Sequence, residues 1–242
     1  METTRQLPRG IAILRGLTLA AVLAIPAAIL IVRFGWWQSG LLIYAIACAL
    51  AAVLLVVSVV LSLLPRFKPY RSRLAGCSLM ALPGSVLLAV TLAGSTDAPP
   101  IHDISTDLNQ PPTFTHAPVL RGTAANSLTP DPATSEVQRK SYPDITTLHT
   151  PLAPDAAYTR AMQSATALDW EITYEDGRQR SLEAVATTSI MGFKDDVVIR
   201  LQANTDGGTR IDLRSVSRVG VGDMGANAAR IRAFKQQFTA QE

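Results

Sequence analysis

Asp195 and Asp196 form an adjacent carboxylate pair, preceded by Gly192-Phe193-Lys194. Two carboxylates at one place are standard equipment for proton transfer or for holding a cation. On a strand, however, neighbouring side chains point to opposite faces, so the two cannot grip one ion or share one proton unless the turn at the strand's start relaxes the alternation. The structural alternative, one carboxylate capping the turn and the other paired with an arginine, carries more weight. His102, Asp103, Asp107 and His116 fall in a proline-rich stretch, with His149 further on. Of these, His102, Asp103 and Asp107 are the candidate metal ligands, but their spacing matches no compact motif. A hydrolase triad has still less support. There is no G-x-S-x-G, both cysteines lie in apolar runs, and no histidine follows His149.

Gly220-Val221-Gly222-Asp223-Met224-Gly225 matches the G-x-G-x-x-G pattern between a strand and a helix. A dinucleotide site also needs a second parallel strand with an acidic residue about 20 positions on. Here Asp223 would repel a pyrophosphate from the helix start. The run reads as a glycine-rich turn, and no cofactor is expected.

A broader constellation is cross-strand. Asp196, Arg200, Asp212 and Arg214 share one sheet face in alternation, with Lys194, Arg210, Arg218 and Glu183 at its margin. One reading is a solvated face that resists aggregation. The other is a polar docking surface, in which arginine forks take carboxylate or phosphate and Ser215, Ser217 and Asn227 add neutral hydrogen bonds.

The elements that position these residues follow from periodicity. Pro154-Asp155 suits a helix's first turn, and Tyr158, Ala161, Met162, Ala165 and Leu168 recur at helical spacing. Four strands follow: Trp170–Glu175, Leu182–Ile190, Val197–Leu201 and Arg210–Arg214, with turns at Asp176-Gly177 and Asp206-Gly207-Gly208. A last helix starts near Met224, capped by Asp223, with Met224, Ala228, Ile231, Phe234 and Phe238 as its apolar stripe. The order helix, four strands, helix implies an α+β domain over 141–242, an antiparallel four-stranded sheet with both helices on one face and the other face in water. A short strand near Ile145 is a further expectation. Residues 95–140 hold seven prolines and no sustained period, and read as linker or extended wrapping chain.

Residues 1–94 are of a different kind. Gly16–Val32, Leu41–Leu64 and Leu74–Gly94 are 17, 24 and 21 residues without a charge, each long enough to cross a bilayer. Arg5, Arg9 and Arg15 precede the first run, and Arg66, Lys68, Arg71 and Arg73 fill the second gap, whereas the first gap holds only Arg33. Basic residues stay on the cytoplasmic side, so three spans would put the N-terminus inside and everything after Gly94 outside, in a periplasmic or extracellular space. Trp36 and Trp37 then mark the outer boundary, and Phe67 and Tyr70 the inner one. A cleaved signal peptide over 1–32 is the weaker alternative, since its apolar stretch is too long and lacks a small-x-small site. None of the runs contains Asp, Glu, Lys, Arg or His, which argues for an anchor over a transporter. Ala45, Ala47, Ala49, Ala51 and Ala52 leave the second span narrow enough for close helix approach.

The net charge of +3 divides unequally. Residues 1–94 carry eight Lys/Arg against one Asp/Glu, and residues 95–242 carry 14 against 18. The basic excess therefore belongs to the membrane part, and no nucleic-acid partner is expected. Cys48 and Cys77 lie at different depths of their spans and read as small apolar fillers.

Gly192–Arg200, then Arg214-Ser215-Val216-Ser217-Arg218-Val219-Gly220, then Gly225-Ala226-Asn227-Ala228-Ala229-Arg230-Ile231 resemble in order the domain of unknown function 1499 family. Ile101–Asp107 resembles that family's N-terminal signature, so the resemblance spans about 99–240. The three-span anchor is similar to that of bacterial members. Other members carry a cysteine in the signature where this chain has Asp103, so no thiol-based role carries over. The resemblance implies no established reaction. It does imply that 99–118 is ordered, and it adds weight to Lys194–Arg200 and Arg214–Arg218 as a functional surface.

The sequence thus reads as a three-span inner-membrane protein whose exterior domain recognises a protein, lipid or envelope component without catalysis. The alternatives are a hydrolase using Asp195 or Asp196 with the His102/Asp103 segment folded over it, and a scaffold acting through its spans.

Overall fold

The computed structural model describes residues 8–94, 98–205 and 207–240. Arg5 and Asp206, used above for orientation and for a turn, lie outside the described residues. The chain divides into two compact units, 1–96 and 97–242.

In the first unit, three helices are long and apolar enough to cross a membrane. They are α1 (Arg9–Arg33), α2 (Trp37–Leu63) and α3 (Arg71–Gly94), with a tight 3₁₀ segment at Pro65–Tyr70 between the last two. Their mutual contacts use small residues: Ala21, Ala28, Ala47, Ala51 and Ala81 are buried, while Leu23, Leu30, Val56, Leu79 and Val90 point outward. An apolar outside around a small-residue inside is what a bilayer-facing bundle requires. The small residues of α2 therefore split: Ala47 and Ala51 are consumed within the bundle, and Ala45 and Ala49 remain exposed. Cys48 and Cys77 are free, buried and in separate clusters, one beside Ile25 and Ala47, the other beside Leu14, Leu54 and Leu74.

The second unit is built on an antiparallel sheet of six strands, not the four expected. The strands are β1 (Asp103–Ser105), β2 (Leu148–Thr150), β3 (Glu171–Asp176), β4 (Ser181–Thr187), β5 (Lys194–Ala203) and β6 (Thr209–Ser217). β3 to β6 are neighbours in chain order, and β1 and β2 sit end to end along the free edge of β6. Each added strand is three residues long, too short to leave a period-2 signal. β1 also ends without a further strand partner. The side-chain amide of Gln138 substitutes for one, accepting from Ser105 N at 3.0 Å and donating to Ser105 O at 2.6 Å. Gln138 comes from α5 (Pro132–Ser141), whose N-terminus is capped by Asp131 accepting from Ala133 N at 3.0 Å.

One sheet face is apolar and carries the two expected helices. Leu182, Ala184, Val197, Ile199, Leu201, Ile211 and Leu213 meet Ala157, Ala161 and Ala165 of α6 (Pro154–Ala167) and Ile231, Phe234 and Phe238 of α7 (Ala226–Thr239). Burying each large side chain contributes roughly 1.5–3 kcal/mol, so this layer holds the domain together. Trp170 stacks on Phe234 with centroids 5.6 Å apart. Two details depart from expectation. α7 begins at Ala226, because Gly225 takes the left-handed conformation with φ +84°, and Met224 falls outside the core stripe. β4 ends at Thr187, so Ile190 lies in the following loop.

The opposite face is not left to water. Residues 106–130, a short helix α4 (Ala117–Leu120) among them, fold across it. Glu183, Asp196, Asp212 and Arg214 on that face are each at most 2% exposed.

Candidate functional site

The alternation of strand side chains sorts the candidate residues into two clusters on opposite faces of β5 and β6. Register places Asp195 opposite Ser217 and Asp196 opposite Val216. The carboxylate pair is therefore split by the sheet.

On the helix side, Asp195 accepts from Arg230 of α7. Arg230 also donates to Ser215 Oγ at 3.0 Å and to Asn227 Oδ1. Ser215 Oγ donates to Asn227 Oδ1 at 2.6 Å, and Asn227 Nδ2 donates to Ser217 Oγ at 2.9 Å and to His102 O at 3.0 Å. Every member of this buried set is a partner of another, and the set fastens α7 and the start of β1 to the sheet. Asp223 completes the attachment by accepting from Gly225 N at 2.8 Å and Asn227 N at 2.7 Å, satisfying donors at the helix start. The glycine-rich run is thus a self-capped turn. Lys194, at the head of β5, stays exposed.

On the other face the charges form two groups. In the first, Asp196 accepts from Arg218 Nη2 at 2.7 Å and Nε at 3.1 Å, and Arg121 Nε stands 3.0 Å from Asp196 Oδ2. That last contact is an ion pair without hydrogen-bond alignment. Burial pushes the Arg121 pKa down, and Arg218 and Arg214 add to this against the opposing pull of Asp196 and Asp103. Arg214 takes Asp103 in a fork, Nε to Oδ1 at 2.9 Å and Nη2 to Oδ2 at 2.6 Å. Its remaining donors reach Pro112 O at 3.3 Å and Leu128 O at 2.8 Å, and its plane lies 5.5 Å from the Phe114 ring centre. Glu183 accepts from the backbone N–H groups of Thr115, His116 and Ala117, the last at 2.6 Å. It thereby anchors the start of α4, while His116 stacks on Tyr174 at 5.6 Å.

In the second group, Asp212 Oδ2 accepts from Arg200 Nη2 at 3.1 Å and Arg210 Nη2 at 2.8 Å, and its Oδ1 from Thr147 Oγ1 at 2.6 Å and Thr106 Oγ1 at 3.2 Å. Asp107 bridges the same two arginines at 3.1 and 2.9 Å. Burial raises the Asp107 carboxyl pKa, but the backbone N–H groups of Gln110 and Asn109, with Arg200 and Arg210, outweigh it and hold it below the usual carboxylate value.

The expectation of a solvated charge face is therefore corrected. Its arginines and aspartates pair across the sheet and bind the segment that covers it, because a buried charge must find a partner. Of the proposed metal ligands, Asp103 is occupied by Arg214, Asp107 by Arg200 and Arg210, and the His102 ring lies 3.2 Å from Val221 O. Among the described residues no three His, Cys, Asp or Glu side chains are grouped to hold a metal ion.

Sequence reasoning missed Arg121, Gln138 and Arg230 as network members. Arg230 stands within the third resembling block, a usable signal. Arg121 and Gln138 lie in or beside the proline-rich stretch, where no periodicity marks an inward residue.

The second group reaches the surface in an open cleft of about 840 Å3. Arg210, Asp107 and Thr147 form part of it, with Arg139, Tyr142 and His149 at its wall and rim. Arg139 and His149 are exposed and Arg210 half-buried. Arg200 and Asp212 lie behind this lining and pair with Arg210 and Asp107.

The sequence model of the family described as "Protein of unknown function (DUF1499)" matches residues 103–238. No curated protein matches the chain. The match begins at β1 and ends in α7, so it takes in the covering segment and both charge groups.

Proposed function

The chain belongs to the DUF1499 family of proteins of unknown function, and from that premise we propose a non-catalytic role: recognition of an anionic envelope component by a membrane-held domain. The observation that carries this reading is the state of the carboxylates. Asp195 and Asp196 are buried and engaged by guanidiniums on opposite sides of a sheet. A general base must reach a substrate proton, and neither has that access. The carboxylate-hydrolase alternative draws no support from this geometry.

The cleft is the better candidate for contact with a ligand. Asp107 and Asp212 hold Arg200 and Arg210 in fixed positions, and Arg139 and His149 add donors at the rim. Guanidiniums fixed in this way suit a carboxylate or phosphate group, which both lipid headgroups and acidic envelope polymers supply. Asp196, Arg214, Ser215, Ser217 and Asn227, with the half-buried Arg218, then serve as the frame of the sheet behind the cleft, and Lys194 stands exposed outside it. The asymmetry of Arg and Lys around the three apolar helices supports a cytoplasmic N-terminus, the inner membrane as the site, and an exterior location for the domain.

The test is native mass spectrometry of the full-length protein released gently from its own membrane. A stoichiometric adduct is expected, and its mass separates a phospholipid from a polymer fragment. The adduct should disappear in R139A/H149A, which alters only exposed rim residues. A bare polypeptide, or an adduct indifferent to that double change, would overturn the reading.

A further inference from the structure

The two ends of the sheet differ in chemistry. At one end the turns carry Gly177, Arg178, Gln179, Thr205 and Gly207, all exposed and none apolar beyond glycine. At the other end, the loop between β4 and β5 exposes Ile190 at 60%, and the turn after β6 exposes Val221 at 78% and Met224 at 56%. These two loops are neighbours, since β5 and β6 pair and Arg218 N donates to Lys194 O at 3.1 Å. Both loops are closed by hydrogen bonds, the first from Gly192 N to Thr188 O at 2.9 Å and the second from Gly225 N to Asp223 Oδ1 at 2.8 Å. Met224 is held at φ +54°, a costly conformation for a side-chain-bearing residue, between Asp223 and the left-handed Gly225. The sequence pattern assigns Ile190 to the end of a strand and Met224 to the apolar stripe of the last helix, and the fold places both in open loops instead.

The same end receives the chain from the apolar helices. Asp223 N donates to Ile101 O at 3.2 Å, and a Cβ at Gly222 would stand 3.1 Å from Pro100 Cα. Five residues, 95–99, separate the last residue of α3 from Pro100. At about 3.4 Å per residue, that tether is on the order of 20 Å when fully extended. The charges at this end fit an anionic surface. Lys194 is exposed, and the Asp223 carboxylate is spent on Gly225 and Asn227. Among the described residues, the exposed carboxylates Asp169 and Glu171 at this end belong to edge strand β3 and the turn before it, three strands from β6.

We propose that the Ile190 and Val221–Met224 loops dock into the headgroup region of the bilayer that holds α1–α3, with Lys194 at the phosphate level. Apolar tips flanked by a lysine match what interfacial segments bury, and a short tether makes the encounter intramolecular. The docking fixes the orientation of the domain and turns the polar turns away from the membrane. It rests on the reading of the apolar helices as spans, and it turns Arg210 and His149 of the proposed cleft, which lie at the opposite end of β6, away from that bilayer, so that a polymer fragment and not a lipid of the same membrane would be the cleft's ligand.

The experiment uses the full-length chain with C48A and C77A, reconstituted in phosphatidylethanolamine–phosphatidylglycerol vesicles. A single nitroxide is attached in turn at I190C, V221C, M224C, G177C and V56C. All five sites are open, so the labels displace no core residue. The readout is collision with oxygen, which concentrates in acyl chains, against a water-soluble nickel chelate. Labels at 190, 221 and 224 should shift toward oxygen along with V56C, and G177C toward nickel. If V56C reports acyl chains while 190, 221 and 224 behave like G177C, the docking is overturned and the spans stand. If V56C itself reports water, the spans fail and the docking with them. Labels at 190, 221 and 224 shielded from both probes would mean a protein contact in place of lipid, which also overturns the proposal.

Discussion

Arg214 and Asp103 lie 111 residues apart and close a two-bonded ion pair, 2.9 and 2.6 Å, with the guanidinium 1% exposed. The pair joins the first strand of the domain to the centre of its last one. It also organises the covering segment, because the other donors of Arg214 bind Pro112 O and Leu128 O. One side chain thus holds three stretches of chain that local propensity leaves unrelated.

D103A should cost about 3–5 kcal/mol in unfolding of the full-length protein, because it strands a buried guanidinium. D103L/R214M, which removes both charges, should recover most of that loss. Denaturant titration of the three proteins in one detergent checks the pair. Equal loss in the single and double variants would place the stabilisation elsewhere.

Asp107 carries a pH dependence with a definite sign. Its pKa is held below the usual carboxylate value, so the unfolded chain takes up the proton first as pH falls. The stability it contributes is whole above the unfolded value of about 4 and is lost as pH falls through the lower, folded value. D107N keeps an acceptor for Asn109 and Gln110 but loses the charge between Arg200 and Arg210. The variant should be less stable by about 1–3 kcal/mol at pH 7, and the gap should close below about pH 4. Thermal unfolding across pH 3–7 measures it.

Glu183 is the clasp of α4. E183A leaves the N–H groups of Thr115, His116 and Ala117 without their acceptor and frees the segment that carries Arg121. The cost should be about 2–4 kcal/mol for hydrogen bonds to a charged group. Limited trypsin digestion should cut after Arg121 sooner than in the parent protein. An unchanged rate would show that the Arg214 contacts alone suffice to hold the cover.

The apolar stripes of α6 and α7 and the alternation in β4, β5 and β6 were open to reading because long elements repeat a pattern. β1 was not, and β2 only as a short strand expected around Ile145 and found at Leu148–Thr150, since three residues carry no period and their pairing depends on β6 being in place. The charge lattice of Asp196, Arg200, Asp212 and Arg214 followed from strand alternation, but its burial did not. Arginine and aspartate on a sheet face look the same in sequence whether water or chain covers them. The cover itself is proline-rich, and its order comes from tertiary partners such as Glu183 and Arg214. The alternation that runs to Ile190 and the stripe that begins at Met224 overreach for the converse reason, since hydropathy does not distinguish an inward apolar residue from one offered outward.

Gly84 shows how the helix bundle depends on a missing side chain. A Cβ there would stand 2.7 Å from Ala51 Cβ and 3.0 Å from Ile25 Cδ1, one on each neighbouring helix. A larger residue must therefore push α3 away from both. G84L should lower the thermal stability of the detergent-solubilised protein by about 1–3 kcal/mol through overpacking. Gly76, in the same helix, has open space at its Cβ position. G76A should be neutral or slightly stabilising, since alanine forms helix better than glycine by about 0.5–1 kcal/mol. The contrast separates packing from propensity. If both substitutions acted alike, the close approach of α3 to α1 and α2 would not be what holds the bundle.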